Sequence, residues 1–149
     1  MLSIKIKDIE FKNPICVASG TFGYGNESKD LVNLSKIGCI ITKSVTLEPR
    51  EGNPSPRIVE THLGMLNSIG LANVGVEAFC NKKLPFLNEI NTNVVINIAG
   101  STMDEYVKVM EILEASDGNH IGYEINVSCP NVKKGGMEFG VDPEMILKL

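Results

Sequence analysis

The sequence predicts an α/β fold built on a parallel sheet, and three observations predict it. Short continuous apolar runs recur along the chain and alternate with stretches of helical periodicity, the order that lays helices over a parallel sheet. The runs are mostly apolar, as strands of a sheet covered by helices are. Four of them end on or beside a polar residue: Ser19, Lys43-Ser44, Asn97 and Asn126. Two architectures fit, an open doubly wound sheet or part of a (β/α)8 barrel. A whole barrel takes about 250 residues. The last predicted helix stops at Leu149, so the four strand–helix units are expected to be half of a barrel rather than a finished domain.

Residues 2–12 alternate apolar and polar about Lys7-Asp8, a short hairpin with Ile4, Ile6, Ile9 and Phe11 on its buried side. Residues 14–18 form the first run and close at Ser19-Gly20. Leu31, Leu34 and Ile37 then recur at helical spacing, with Ser28 as cap and Gly38 as stop. The second run, residues 39–42, closes at Lys43-Ser44. Residues 45–74 contain Pro49, Pro54, Pro56, Gly52, Gly64 and Gly70, which leaves no room for a long helix. Loops of that length in a compact domain usually serve function. A short helix over 76–81 precedes the third run, 94–98. Residues 103–115 read as a helix with Met103, Val107, Met110 and Leu113 on one side. The fourth run, 123–127, opens into a loop rich in Gly and Lys over 128–141, and Asp142-Pro143 starts another helix.

Composition removes several classes of function. Hydrophobic residues make up 43% and charged residues 21%, so the chain folds. The net charge of −4 argues against a binder of nucleic-acid phosphates, and 5% aromatics without Trp remove the stacking platforms of single-strand binders. No apolar run approaches the ~18 residues of a membrane span. Lys5, Lys7 and Asp8 stand where an export signal has its apolar core. A cytoplasmic protein with neither nucleic-acid nor membrane partners is expected. Cys16, Cys39, Cys80 and Cys129 form no C-x-x-C pair, and His62 and His120 stand apart, so no metal site is expected. Cys16 and Cys39 lie within apolar runs, where a free thiol is usually a small hydrophobe.

The carboxyl edge of a parallel sheet is where α/β folds bind ligands, so the four strand-end groups define a candidate site. Amides, hydroxyls and one ammonium suit a planar, hydrogen-bonding, partly anionic ligand, and the near absence of Asp and Glu there speaks against a metal. The Gly20-Thr21-Phe22-Gly23-Tyr24-Gly25 turn is rich in glycine without matching the dinucleotide fingerprint; alone it reads as a strand–helix turn. The loop 64–73 (GMLNSIGLAN) can set backbone amides and Asn67 against a flat ligand, or simply pack. Cys129 follows Ser128 directly after the fourth run, with Lys133 and Lys134 close by. In that setting a thiol is either acidified and reactive or merely structural.

These segments together resemble the dihydroorotate dehydrogenase family, specifically the N-terminal half of its members, over essentially all of the chain. The motifs are Ala18-Ser19-Gly20-Thr21-Phe22-Gly23, residues 41–57 (ITKSVTLEPREGNPSPR), 64–73, Asn97-Ile98-Ala99-Gly100 and 126–132 (NVSCPNV), five in family order. The resemblance implies a TIM (β/α)8 barrel, of which residues 1–149 are the hairpin and about the first four β/α units. It implies an FMN site that includes Ser19, Lys43, Ser44, Asn97 and Asn126. Lys43, Asn67, Ser68, Ile69, Gly70, Leu71, Asn126 and Asn131 would hold the pyrimidine, and Cys129 matches the catalytic base. The implied reaction is oxidation of dihydroorotate to orotate. Cys129 removes a C5 proton, and the glycines of Lys133-Lys134-Gly135-Gly136 let its loop open and close.

Rival readings are a non-catalytic half-barrel acting as a binding module, and a related flavin-dependent reductase of other pyrimidines. Cys129, where the quinone-linked members carry Ser, resembles the cytosolic members, which use either fumarate or NAD, and between these two the loops 20–25, 64–67 and 132–136 resemble the NAD-linked class. That resemblance implies a homodimer of the full-length subunit and a partner subunit carrying FAD and a 2Fe–2S centre. No cysteine cluster here can hold such a centre.

Overall fold

The computed structural model describes residues 2–128 and 139–149 and begins with the expected hairpin. Strands β1 (Ile4–Ile6) and β2 (Ile9–Phe11) pair antiparallel. Then follow β3 (Cys16–Val17), β4 (Cys39–Ile41), a second antiparallel hairpin of β5 (Ile58–Thr61) and β6 (Gly64–Asn67), and helices α1 (Val76–Lys82) and α2 (Leu84–Glu89). Strand β7 (Asn93–Ile98), helix α3 (Met103–Glu114), strand β8 (Gly122–Ile125) and helix α4 (Pro143–Lys148) complete the order.

The sheet runs β3-β4-β7-β8 and every pair is parallel. Its order never turns back on itself, whereas a doubly wound sheet reverses at a switch point. The four strands therefore form an arc of a (β/α)8 barrel. Their outer face packs against helices: Ile96 and Ile98 of β7 meet Phe79, Val109 and Leu113, all with no solvent exposure. A second cluster joins Leu34, Ile37 and Ile40 under Val17, Phe22 and Phe86. Burying each such side chain contributes about 1.5–3 kcal/mol, which fixes the strand ends from behind. The inner face carries the alternate residues of β7 and β8, with Asn97 opposite Glu124.

Helix α3 begins where Thr102 caps it, accepting from Glu105 N at 3.3 Å, while the Glu105 carboxylate accepts from Ser101 N at 2.5 Å. Asp142 starts α4 as expected, accepting from Glu144 N at 2.9 Å and Met145 N at 3.3 Å. Among the described residues no helix is long and apolar enough to cross a membrane.

The structure corrects several expectations. Ile4, Ile6, Ile9 and Phe11 share one face of the first hairpin, but Ile4, Ile6 and Ile9 are exposed, because no second layer of described chain lies across them. The α-helix expected over 28–37 is a turn followed by a 3-10 helix (Leu34–Lys36). Asn33 starts that short helix by accepting from Ser35 N at 3.1 Å, which breaks the longer one. On α3 the inward residues are Tyr106, Val109 and Leu113, with Met103 and Met110 beside them, and Val107 faces solvent. Cys16 is exposed, whereas its parallel partner Cys39 is buried and burial pushes its thiol up to about 12. The β5–β6 hairpin and α2 were not anticipated.

Candidate functional site

Opposite β7, strand β4 carries one extra residue. Ile41 lies opposite Val95 and Val45 opposite Ile98, so Thr42, Lys43 and Ser44 span a distance that β7 covers with two. Such a bulge breaks the alternation of side chains. As a result the consecutive residues Lys43 and Ser44 both line one cleft, where a regular strand would send them to opposite faces. The bulge is pinned by Thr42 N donating to Val95 O at 3.0 Å, Lys43 N to Gly23 O at 2.8 Å and Val45 N to Asn97 O at 2.9 Å.

The cleft, about 460 Å³, lies at the carboxyl ends of the strands, within the size range of cofactor and small-ligand pockets. The strand ends contribute Ser19, Lys43, Ser44 and Asn126, and the segment after β6 contributes Asn67, Ser68, Ile69, Gly70 and Leu71. Gly20, at φ +75°, has nothing within 4 Å of where a Cβ would stand, so the backbone there is open to a ligand. Asn126 Nδ2 donates to Ser44 Oγ at 3.2 Å, and Asn126 Oδ1 accepts from Ser128 N at 3.2 Å. Burial, followed by the Arg57 guanidinium, holds the Lys43 ammonium below its ordinary value. Two cations near one another favour an anion between them.

Asn97 stands just behind this rim and is 2% exposed. Its Nδ2 donates to Glu124 Oε1 at 2.5 Å, and its backbone N–H donates to Thr42 Oγ1 at 3.1 Å. Asn97 Oδ1 is buried without a hydrogen-bond partner.

The loop wall is built by backbone stitching. Asn53 N donates to Ile69 O at 3.1 Å and Asn53 Nδ2 to Ser68 O at 2.8 Å. A Cβ on Gly70 would sit 2.7 Å from Asn53 N, so only glycine allows the approach. Leu71 is left-handed at φ 57°, a conformation that a branched side chain adopts only when its surroundings enforce it. The enforcing group is Asn73, whose Nδ2 donates to Leu71 O at 2.9 Å and whose Oδ1 accepts from Gly75 N at 2.9 Å and Thr46 N at 3.2 Å.

Nine expected site residues thus converge on one cleft, with Asn97 adjoining it. Cys129, Asn131 and the Lys133-Lys134-Gly135-Gly136 segment lie outside the described residues. Sequence reasoning missed Arg57, although it closes the 41–57 motif. It also missed Glu124, which stands two residues before Asn126 and so shares its strand face. Among the described residues no three of His, Cys, Asp or Glu group together as metal ligands do.

The family model described as dihydroorotate dehydrogenase matches residues 1–149. A relative from Geotalea uraniireducens (strain Rf4), named dihydroorotate dehydrogenase B (NAD(+)), catalytic subunit, is 53% identical over 142 residues, 95% of this chain and 46% of the relative. Proteins of the same name from Geotalea daltonii and from Thermoanaerobacter sp. (strain X514) are 54% and 49% identical, over 95% and 99% of this chain and 46% and 48% of their own length. The chain spans about half the length of the curated relatives it matches. With its motifs, its unreversed parallel sheet and a family match along its whole length, the chain belongs to the dihydroorotate dehydrogenase family.

Proposed function

We propose that this chain is the N-terminal part of an FMN-dependent dihydroorotate dehydrogenase. The enzyme oxidises dihydroorotate to orotate in pyrimidine biosynthesis and passes the electrons to NAD through a partner subunit. Residues 1–149 are then one half of a single FMN-binding barrel domain in a cytoplasmic protein. The observation that carries the reading is the convergence of Lys43, Ser19, Ser44, Asn126 and the 67–71 wall on one cleft at the strand ends.

The donor set fits a flavin nucleotide. Asn97 Oδ1 is a buried acceptor awaiting a donor, and Ser19, Ser44 and Asn126 offer hydroxyls and an amide along the rim. Bound FMN would supply the hydride acceptor. Lys43, with three N–H donors, can serve the flavin and the substrate at once, and Arg57 nearby reinforces its attraction for the orotate carboxylate. Asn67 and Ser68, with the Ile69-Gly70-Leu71 backbone, hold the pyrimidine from one side, and Asn126 and Asn131 from another. Cys129 takes the C5 proton as general base, a role that a thiol suits because its pKa can be tuned toward neutrality.

The electron path to NAD rests on the names of the relatives. The cysteine spacing of this sequence offers no iron–sulfur motif, so FAD and the 2Fe–2S relay are assigned to the partner, and the catalytic subunit pairs with itself as a homodimer. The test is the full-length protein purified alone. It should carry FMN, identified by mass, and its visible absorbance should bleach on addition of dihydroorotate. NAD reduction should be poor until the partner subunit is added. A colourless full-length protein, or one bleached equally by dihydrouracil, would overturn the reading.

A further inference from the structure

Glu124 and Asn97 face each other across the β7–β8 pair on the inner side of the sheet, one step behind the rim where Asn126 stands. The bond between them fixes which end of the Asn97 amide is which. Nδ2 donates to Glu124 Oε1 at 2.5 Å. Turning the amide over would press its oxygen against a carboxylate, two acceptors with no proton between them. The backbone is held as well, by Asn97 N donating to Thr42 Oγ1 at 3.1 Å and Asn97 O accepting from Val45 N at 2.9 Å. What remains is Oδ1, buried and without a partner, a state that is costly until a ligand donates to it. Asn126 differs, since both ends of its amide are already engaged, with Ser44 and Ser128.

We propose that Glu124 is a positioning residue of the cofactor site: it holds the Asn97 amide with its oxygen presented, so that this position accepts a hydrogen bond from an N–H or O–H of the flavin nucleotide. The inference rests on the FMN reading above. Two groups of the cofactor carry such donors, the imide N–H of the ring and the hydroxyls of the ribityl chain. Glu124 touches neither and acts through Asn97.

FMN binding to the full-length apoprotein, followed by quenching of flavin fluorescence, tests this. Glu124→Ala should weaken binding about tenfold, the scale of one hydrogen bond to a buried acceptor. Asn97→Ala should do the same, and the double variant should be no weaker than Asn97→Ala alone, because the two residues act as one unit. Glu124→Gln keeps an oxygen at the same reach and should stay within about threefold of wild type. FMN methylated at the ring imide separates the two donors. If the Glu124→Ala penalty vanishes with it, the imide is the partner, and if the penalty persists, the ribityl hydroxyls are; either result upholds the positioning role. Glu124→Met carries the same comparison where the alanine variant does not fold. Unchanged FMN affinity in Glu124→Ala, or a further tenfold loss when Glu124→Ala is added to Asn97→Ala, would overturn the proposal. Wild-type apoprotein that takes up no FMN would overturn the flavin reading instead.

Discussion

Replacing Asn73 with alanine removes the side chain that ties the 67–71 wall of the cleft to the strand-end layer. Asn73 is 9% exposed and its two amide atoms reach three backbone groups and one hydroxyl. In the alanine variant the N–H groups of Thr46 and Gly75 lose their acceptor, and the Leu71 carbonyl loses its donor. Each buried group left unpaired costs about 1–3 kcal/mol. Water entering the space recovers part of this, so a net loss of about 2–4 kcal/mol is expected. Asn53→Ala is the control. Its single exposed bond to Ser68 O is worth about 1 kcal/mol or less, although it lies in the same wall. Urea unfolding of the full-length protein, with midpoints compared at equal slope, measures both. Leu71 also loses the tether that holds its left-handed backbone, so KM for dihydroorotate should rise more than kcat falls. An Asn73→Ala protein no less stable than Asn53→Ala would refute this account of the wall.

Cys129→Ala in the full-length enzyme should leave FMN bound and slow flavin reduction by dihydroorotate ~10²-fold or more; stopped-flow absorbance decides, and an unaffected rate removes Cys129 from the chemistry. His120 predicts a pH dependence. Its Nε2 meets Tyr123 Oη at 2.7 Å, and Tyr123 Oη donates to Glu114 at 2.6 Å. Burial lowers the imidazole below its ordinary 6.5, outweighing the raising effect of Glu114. The unfolded chain then binds the proton more readily, so stability should fall as pH drops through about 6.5, and His120→Gln should flatten that part of the urea-midpoint profile. Residues 1–149 expressed alone should self-associate and purify colourless, because among the described residues β3 and β8 each pair on one side only and Ile4, Ile6, Ile9 and Cys16 are exposed; a monomer holding stoichiometric FMN would count against the half-barrel reading.

The four parallel strands were legible because each is an apolar run whose end is marked by a polar residue. The strand-end site followed from the same marks. The stretch 28–37 misled because Leu31, Leu34 and Ile37 keep helical spacing while Asn33 sits among them. Its side chain caps a new turn, and Leu31 ends 84% exposed. The β5–β6 hairpin was hidden by the prolines and glycines around it, although Ile58, Val59 and Thr61 are β-branched strand formers. Helix α2 carried a usable signal, Pro85 in its first turn with Leu84 and Leu87 buried three apart. Exposure of Ile4, Ile6 and Cys16 was not readable at all, since periodicity tells which residues share a face but not what lies opposite. The pairing of Asn97 with Glu124 depends on register, which only the assembled sheet supplies.

The surplus residue between Ile41 and Val45 makes the cleft sensitive to parity. Exchanging one side chain at 42–44 alters what the wall offers, but deleting Thr42 would restore strict alternation and send Lys43 into the helix layer. A variant shortened there would keep nearly all of its composition and still lose the ammonium from the ligand side. Chain length at this point therefore constrains the protein more tightly than residue identity does.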